Sequence, residues 1–243
     1  MDSPKHLLFK HFASVAAAMA HPSRLELLDL LAQGEMTVET LANQSRLTVK
    51  NTSAHLRTLR QAALVSTRKE GTWVFYRLAD PAVFDLFTML QEVGRRQLAE
   101  VREVIRDCFA EPGGFEPLEL EELASRLDEG TVTLLDVRPE GEYRQGHIPG
   151  AVSVPLARLA EQIRTLPPRA EVVAYCRGPY CVLAVEATEL LRQHGFRVRR
   201  LASGMPEWAA RGLPVIVGSS PRGGVREDTV HSERSAIRHR AEL

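Results

Sequence analysis

The chain has 243 residues, 44% of them hydrophobic and 26% charged, with a formal net charge of zero. That length accommodates two ordinary domains and excludes three. No apolar run approaches the roughly 20 residues of a membrane helix, and the alanine-rich stretch Ser14–Ala20 lacks the flank and core of a signal peptide, so a cytoplasmic protein outside the membrane is expected.

Residues 5–20 place Leu7, Leu8, Phe12, Val15, Ala16 and Met19 at helical spacing. His21-Pro22 interrupts it. Ser23 is the expected N-cap of a helix over Arg24–Gln33, which Gly34 ends. Thr37 opens a short helix, Val38–Gln44, with Leu41 inward. After a turn at Ser45–Leu47, Thr48 caps a second helix that runs to about Ala62 and buries Leu56 and Leu59. Two short helices joined by a tight turn form a helix-turn-helix pattern.

The period then changes. Leu64–Arg68 and Thr72–Leu78 read as strands about a Lys69-Glu70-Gly71 turn, a hairpin in the position of a wing. From Pro81 to Cys108 one long helix is expected, with an apolar stripe through Val83, Leu86, Leu90, Val93, Leu98, Val101, Ile105 and Cys108. The stripe predicts a homodimer; the alternative is a connector helix packed on its own domain. Zero net charge conceals an imbalance. Ser45–Leu78 carries seven basic residues and one acid, a net +6, which is the footprint expected of a nucleic-acid contact or, more plainly, of a solvated helix face.

Glu111–Gly114 reads as a linker, with a second domain from Phe115. A helix over Leu118–Leu127, strands at Val132–Val137, Ala151–Val154, Val172–Tyr175 and Arg197–Leu201, and a helix over Leu183–His194 alternate as in a parallel α/β sheet. The last stretch has few large apolar residues and is expected to be a flexible tail. The expected organisation is an α+β winged helix-turn-helix over 1–110, an α/β parallel sheet flanked by helices over 115–217, and a tail over 218–243.

Residues Ala18–Leu78 resemble the ArsR/SmtB-type winged helix, through His21–Leu28, Thr52–Val65 and the wing Arg68–Leu78. The resemblance implies a dimer that binds a double-stranded, palindromic DNA operator, by family default as a repressor, and leaves it when an effector arrives. It places Thr48–Gln61 in the major groove. Asn51, Ser53 and His55 would read base edges beside Ala54, Lys50 and Arg57 would hold phosphates, and Arg68 and Lys69 would reach the backbone or minor groove. His55 has an alternative reading as a helix-packing histidine. The sequence departs from the metal-sensing members: Glu35–Leu41 has no thiol, and Val83–Cys108 has no histidine and ends in a lone Cys108. No metal or cofactor is therefore expected, and sensing is assigned to the second domain.

Residues 117–215 resemble a single-domain rhodanese, through Leu135-Asp136-Val137-Arg138-Pro139, Glu142–Ala151 and Tyr175-Cys176-Arg177-Gly178-Pro179-Tyr180-Cys181. A cysteine between a strand end and a helix start meets backbone N–H groups and the positive helix end, and both favour thiolate. The resemblance implies that Cys176 takes sulfane sulfur from a donor and passes it to a thiol acceptor, stabilised by Arg177 and the loop N–H groups. Asp136, Arg138 and His147 take scaffold roles. Cys181 stands where active sulfurtransferases carry other residues; it is either a resolving thiol for Cys176 or a small buried hydrophobe. The loop lacks the C-x5-R anion clamp of thiol phosphatases. Two readings remain: a regulator whose Cys176 senses or transfers sulfane sulfur, and a sulfurtransferase whose DNA-binding domain serves localisation or dimerisation.

Overall fold

The computed structural model describes residues 3–110, 117–166 and 171–218; the expected linker and most of the tail lie outside these. Helix α1 (Pro4–Met19) is capped by Ser3, and α2 (Pro22–Ala32) follows after one turn. The cap of α2 is not Ser23 but His21, whose Nδ1 accepts from Ser23 N at 3.1 Å. Pro22 takes the first helical position, where its missing N–H costs nothing, and this moves the helix start forward by two residues.

The short helices α3 (Val38–Gln44) and α4 (Val49–Gln61) are capped as expected. Thr37 Oγ1 accepts from Thr40 N at 3.3 Å and Thr48 Oγ1 from Asn51 N at 3.2 Å. The turn between them places Arg46 at φ 54°, in the left-handed region. Strands β2 (Val65–Glu70) and β3 (Trp73–Leu78) pair antiparallel from Val65↔Leu78 to Glu70↔Trp73. The hairpin is tighter than expected, because Gly71 at φ 58° closes it in two residues. Two residues, β1 (Met36–Thr37), pair with β3 at Tyr76 and Phe75 to make a three-stranded sheet.

The expected single helix over 81–108 is two: α5 (Pro81–Gln97) and α6 (Ala99–Phe109), broken at Leu98 with φ −101° and ψ 121°. Arg102 makes the break tolerable, because its Nη1 donates to Arg96 O at 2.8 Å and satisfies a carbonyl that the missing turn would have taken. Leu27, Leu28, Leu31, Leu41, Leu56 and Leu59 are buried together in one core with Val83 and Phe87 of α5.

The second half is a four-stranded parallel sheet in the order β5-β4-β6-β7, formed by β4 (Val132–Asp136), β5 (Val152–Ser153), β6 (Glu171–Tyr175) and β7 (Val198–Arg200). Helices α7 (Leu120–Asp128), α8 (Glu140–Gln145), α9 (Leu156–Gln162), α10 (Val182–Gln193) and α11 (Met205–Ala210) cover it. Successive strand residues supply opposite cores. Leu135, Val172 and Ala174 pack with Ala184, Ala187 and Leu191 of α10. Leu134, Val173 and Tyr175 pack with Leu123, Met205 and Trp208.

Candidate functional site

Cys176 continues the alternation of β6 toward α10 and is 1% exposed. Cys181 is the N-cap residue of α10 and is half-buried. The two are joined in a disulfide with Cα atoms 6.3 Å apart, whereas Cys108 is free and exposed on α6. The loop between the paired cysteines is fastened from several sides. Cys176 O accepts from Met205 N at 3.2 Å, and Cys181 N donates to Gly178 O at 3.3 Å. Arg200 donates to Pro179 O and to Phe109 O, each at 2.7 Å, tying the loop to the end of α6. The Tyr180 ring meets Phe109 edge-on at 5.8 Å. Gly204 must be glycine, since a Cβ there would fall inside contact with the Arg177–Gly178 peptide. Among the described residues, the N–H groups of Arg177, Gly178 and Tyr180 meet no protein acceptor. They remain available to an anion or a sulfur.

The Arg177 guanidinium is not free to serve the thiolate. It donates to Glu142 at 2.7 and 3.0 Å and to Gln44 Oε1 at 2.9 Å. Gln44 ends α3, so this arginine connects the cysteine loop to the helix-turn-helix. A second connection runs through Gln33, at the end of α2. Its Nε2 donates to Arg177 O at 3.1 Å, and its Oε1 accepts from Arg138 Nη1 at 3.2 Å. Gln145 Nε2 adds a bond to Glu35 O at 2.9 Å. Gln33 and Gln44 are site residues that the sequence does not single out, and Glu142 enters there only as part of the rhodanese-like motif. Glutamines outside a motif read as solvated residues, and only the docking of the two halves gives these partners.

The scaffold beneath is ionic. Arg138 and Asp136 are fully buried and paired at 2.6 Å, and Arg138 also donates to Gly146 O at 2.7 Å. Tyr175 Oη donates to Asp136 Oδ2 at 2.6 Å; burial first, and the Asp136 charge after it, hold that phenol far above its ordinary range and keep it a donor. His147 stacks on Tyr143 with ring centroids 3.7 Å apart, and its Nδ1 lies 2.9 Å from Tyr143 O. Beside the loop, burial pushes Asp29 up to about 7, opposed by Arg177 and reinforced by Glu207, Glu142 and Glu26. Burial likewise raises Glu207, whose carboxylate accepts from Gly204 N at 2.8 Å.

On the winged helix, α4 turns Lys50, Asn51, Ala54 and Arg57 outward, with Ser53 half-buried and Thr52, Leu56 and Leu59 inward. His55 is half-buried, its ring 4.6 Å from that of His21. Burial, His21 and Arg24 lower its pKa. On the wing, Lys69 is exposed, but Arg68 is engaged by Glu35 at 2.9 Å and Glu70 at 2.6 Å and lies over the Phe75 ring.

Residues 21–67 match the family model of bacterial regulatory proteins of the arsR family, and residues 119–211 match that of the rhodanese-like domain. Over 215 residues the chain is 42% identical to the HTH-type transcriptional regulator Rv0324 of Mycobacterium tuberculosis, which spans 88% of this chain and 94% of that protein. This chain is an ArsR-family transcriptional regulator with a rhodanese-like domain. The regulator's second half is also 35% identical over 101 residues to a sulfurtransferase of Allochromatium vinosum, covering 41% of this chain and 92% of that one. A solved homodimeric winged helix-turn-helix domain of Mb0332 from Mycobacterium bovis is 38% identical, with a TM-score of 0.39, covering 41% of this chain and 93% of that one. Among the described residues of the regulator, no cluster of three His, Cys, Asp or Glu side chains is placed to hold a metal ion, and no helix is long and apolar enough to cross a membrane.

Proposed function

We propose that the rhodanese-like half is the sensor of this regulator, and that sulfane-sulfur chemistry at Cys176 and Cys181 changes its affinity for an operator. The observation that carries this reading is the position of Arg177. It lies between the two paired cysteines and hydrogen-bonds Gln44 of the helix-turn-helix, while its carbonyl is held by Gln33 of α2. Opening the disulfide, or inserting a sulfur into it, changes the span between residues 176 and 181. The peptide between them is then free to move relative to α2 and α3, which set the angle of α4. The regulator acts as a cytoplasmic homodimer and a repressor, with the exposed apolar side chains Leu86, Met89 and Val93 of α5 at the dimer contact. Lys50, Asn51, Ser53, Ala54 and Arg57 face the DNA, with Lys69 at the wing; His55 and Arg68, held by protein partners, support that surface. The domains divide at 1–110 and 115–217.

The test is operator binding by fluorescence anisotropy before and after a persulfide donor, with Cys176→Ser alongside. The parent is expected to lose affinity and the variant to keep it; a variant that responds like the parent would sink the reading. A second reading, a sulfurtransferase that carries a DNA-binding domain, is favoured by the free N–H groups of the loop and by the similar sulfurtransferase. Multiple turnover of persulfide with unchanged operator affinity would select it.

A further inference from the structure

A cavity of about 550 Å³ lies between α2, the α5–α6 break and the cysteine loop. Leu25, Phe87, Leu90, Leu98 and Val101 give it apolar walls, and Tyr180 and Pro179 close the side toward the loop. Three carboxylates, Asp29, Glu26 and Glu207, reach it, and no basic side chain lines it. Cys181 lines it as well, but Cys176 does not. Glu207 stands next to the loop, its Oε1 3.5 Å from where a Cβ on Gly178 would lie.

We propose that this cavity is a binding site for a small thiol that carries an ammonium group, and that it directs the sulfur of that thiol to Cys181. The carboxylates take the ammonium, the apolar walls take the short carbon chain, and half-buried Cys181 is the member of the pair that lines the cavity. The nearest guanidinium, Arg177, is already committed to Glu142 and Gln44, so the three acids have no cation of their own inside the cavity. Among the described residues the Asp29 carboxylate forms no hydrogen bond or salt bridge. Burial, with Glu207, Glu142 and Glu26 around it, pushes Asp29 up to about 7 even against Arg177, as expected of a site short of positive charge.

The step is thiol–disulfide exchange. The thiol loses its proton to solvent, and its thiolate attacks Cys181 Sγ. A bond forms between the two sulfurs, the Cys176–Cys181 bond breaks, and the electron pair leaves on Cys176 as thiolate. The small thiol and Cys181 end as a mixed disulfide, and Cys176 is left reduced beside the free loop N–H groups. The inference deepens the sensor reading by naming what opens the pair, and it rests on that reading only in taking the pair as the reactive centre.

The experiment uses the oxidised full-length protein and three probes of similar size: cysteamine, 2-mercaptoethanol and 3-mercaptopropionate. Reactions are quenched with iodoacetamide, which caps the released Cys176, and the adducts are mapped by mass spectrometry. With rates divided by thiolate fraction, cysteamine is expected to modify Cys181 at least about 10-fold faster than the neutral probe, with the anionic probe slowest, as a cavity of one charge sign directs its ligand. Asp29→Asn with Glu207→Gln is expected to bring the three rates together. Equal corrected rates in the parent, an adduct on Cys176, or a preference that survives in the double variant would each overturn the proposal. If the double variant does not fold, the ranking in the parent decides alone. Operator binding is scored on the same samples: the expected ranking with no change in DNA affinity supports the cavity and removes the sensor reading.

Discussion

Replacing Gln33 with alanine is expected to loosen the docking of the rhodanese-like half on the winged helix without unfolding either. The side chain is 6% exposed. It accepts from the buried Arg138 guanidinium at 3.2 Å and donates to Arg177 O at 3.1 Å and Asp29 O at 3.3 Å. Alanine removes the acceptor of a charged donor and leaves the Arg177 carbonyl unmatched at the interface. One charge-assisted and one neutral hydrogen bond together are worth about 2–4 kcal/mol. At about 1.4 kcal/mol per tenfold, the docked-to-undocked ratio falls by roughly 30-fold to several hundredfold. Among the described residues, the other side-chain bonds between the halves include Arg177–Gln44, Gln145–Glu35 and Arg200–Phe109, beside the Phe109–Tyr180 ring contact. Small-angle scattering of parent and variant is the assay, with a larger radius of gyration and a lower melting point for the rhodanese-like half expected in the variant. A scattering curve that superimposes on the parent's, with unchanged melting, refutes the reasoning that this glutamine latches the halves together.

Three further outcomes follow. Arg138→Met leaves the Asp136 carboxylate buried without its cation and is expected to cost about 3–5 kcal/mol in chemical denaturation, while Asp136→Asn with Arg138→Met costs less than the single change. Asp29 gains its proton more readily folded than unfolded, so its contribution is favourable at low pH and is lost as pH rises from about 4 through about 7; above that range Asp29→Asn is expected to stabilise the protein by up to about 4 kcal/mol, and a stability difference that stays constant between pH 5 and pH 8 would count against it. Lys50→Ala is expected to weaken operator binding uniformly across sequences and to reduce the slope of log affinity against log salt by about 1, whereas Asn51→Ala relaxes base preference with the slope unchanged.

Much of this regulator is legible in its residues because the signals are local. The caps at Thr37 and Thr48 need only the next turn of chain, the wing needs alternation and Gly71, and the parallel sheet announces itself by strands separated by helices. The cysteine loop is equally local, since a strand end, a short loop and a helix start are contiguous between Tyr175 and Val182. Where local signals compete, the sequence misleads. Pro22 and His21 outbid Ser23 for the start of α2, and the apolar stripe of residues 81–108 runs unbroken through a backbone break that Arg102 stabilises from the next helix.

The sequence by itself determined the two domain types, the helix-turn-helix and the cysteine loop, because each depends on neighbours within a few turns; the pairing of Cys176 with Cys181 came only from the structure. Only the tertiary structure decided what Arg177, Gln33 and Gln44 do, that His55 and Arg68 are held by protein partners, and that three carboxylates share a cavity with Cys181. His55 and Arg68 meet partners 34 and 33 positions away within the winged helix, whereas the bonds of Arg177, Gln33 and Gln44 and the shared cavity join residues more than a hundred positions apart. A hydrogen bond or a charge cluster of that kind exists only once the two halves pack, and no periodicity along the chain records it.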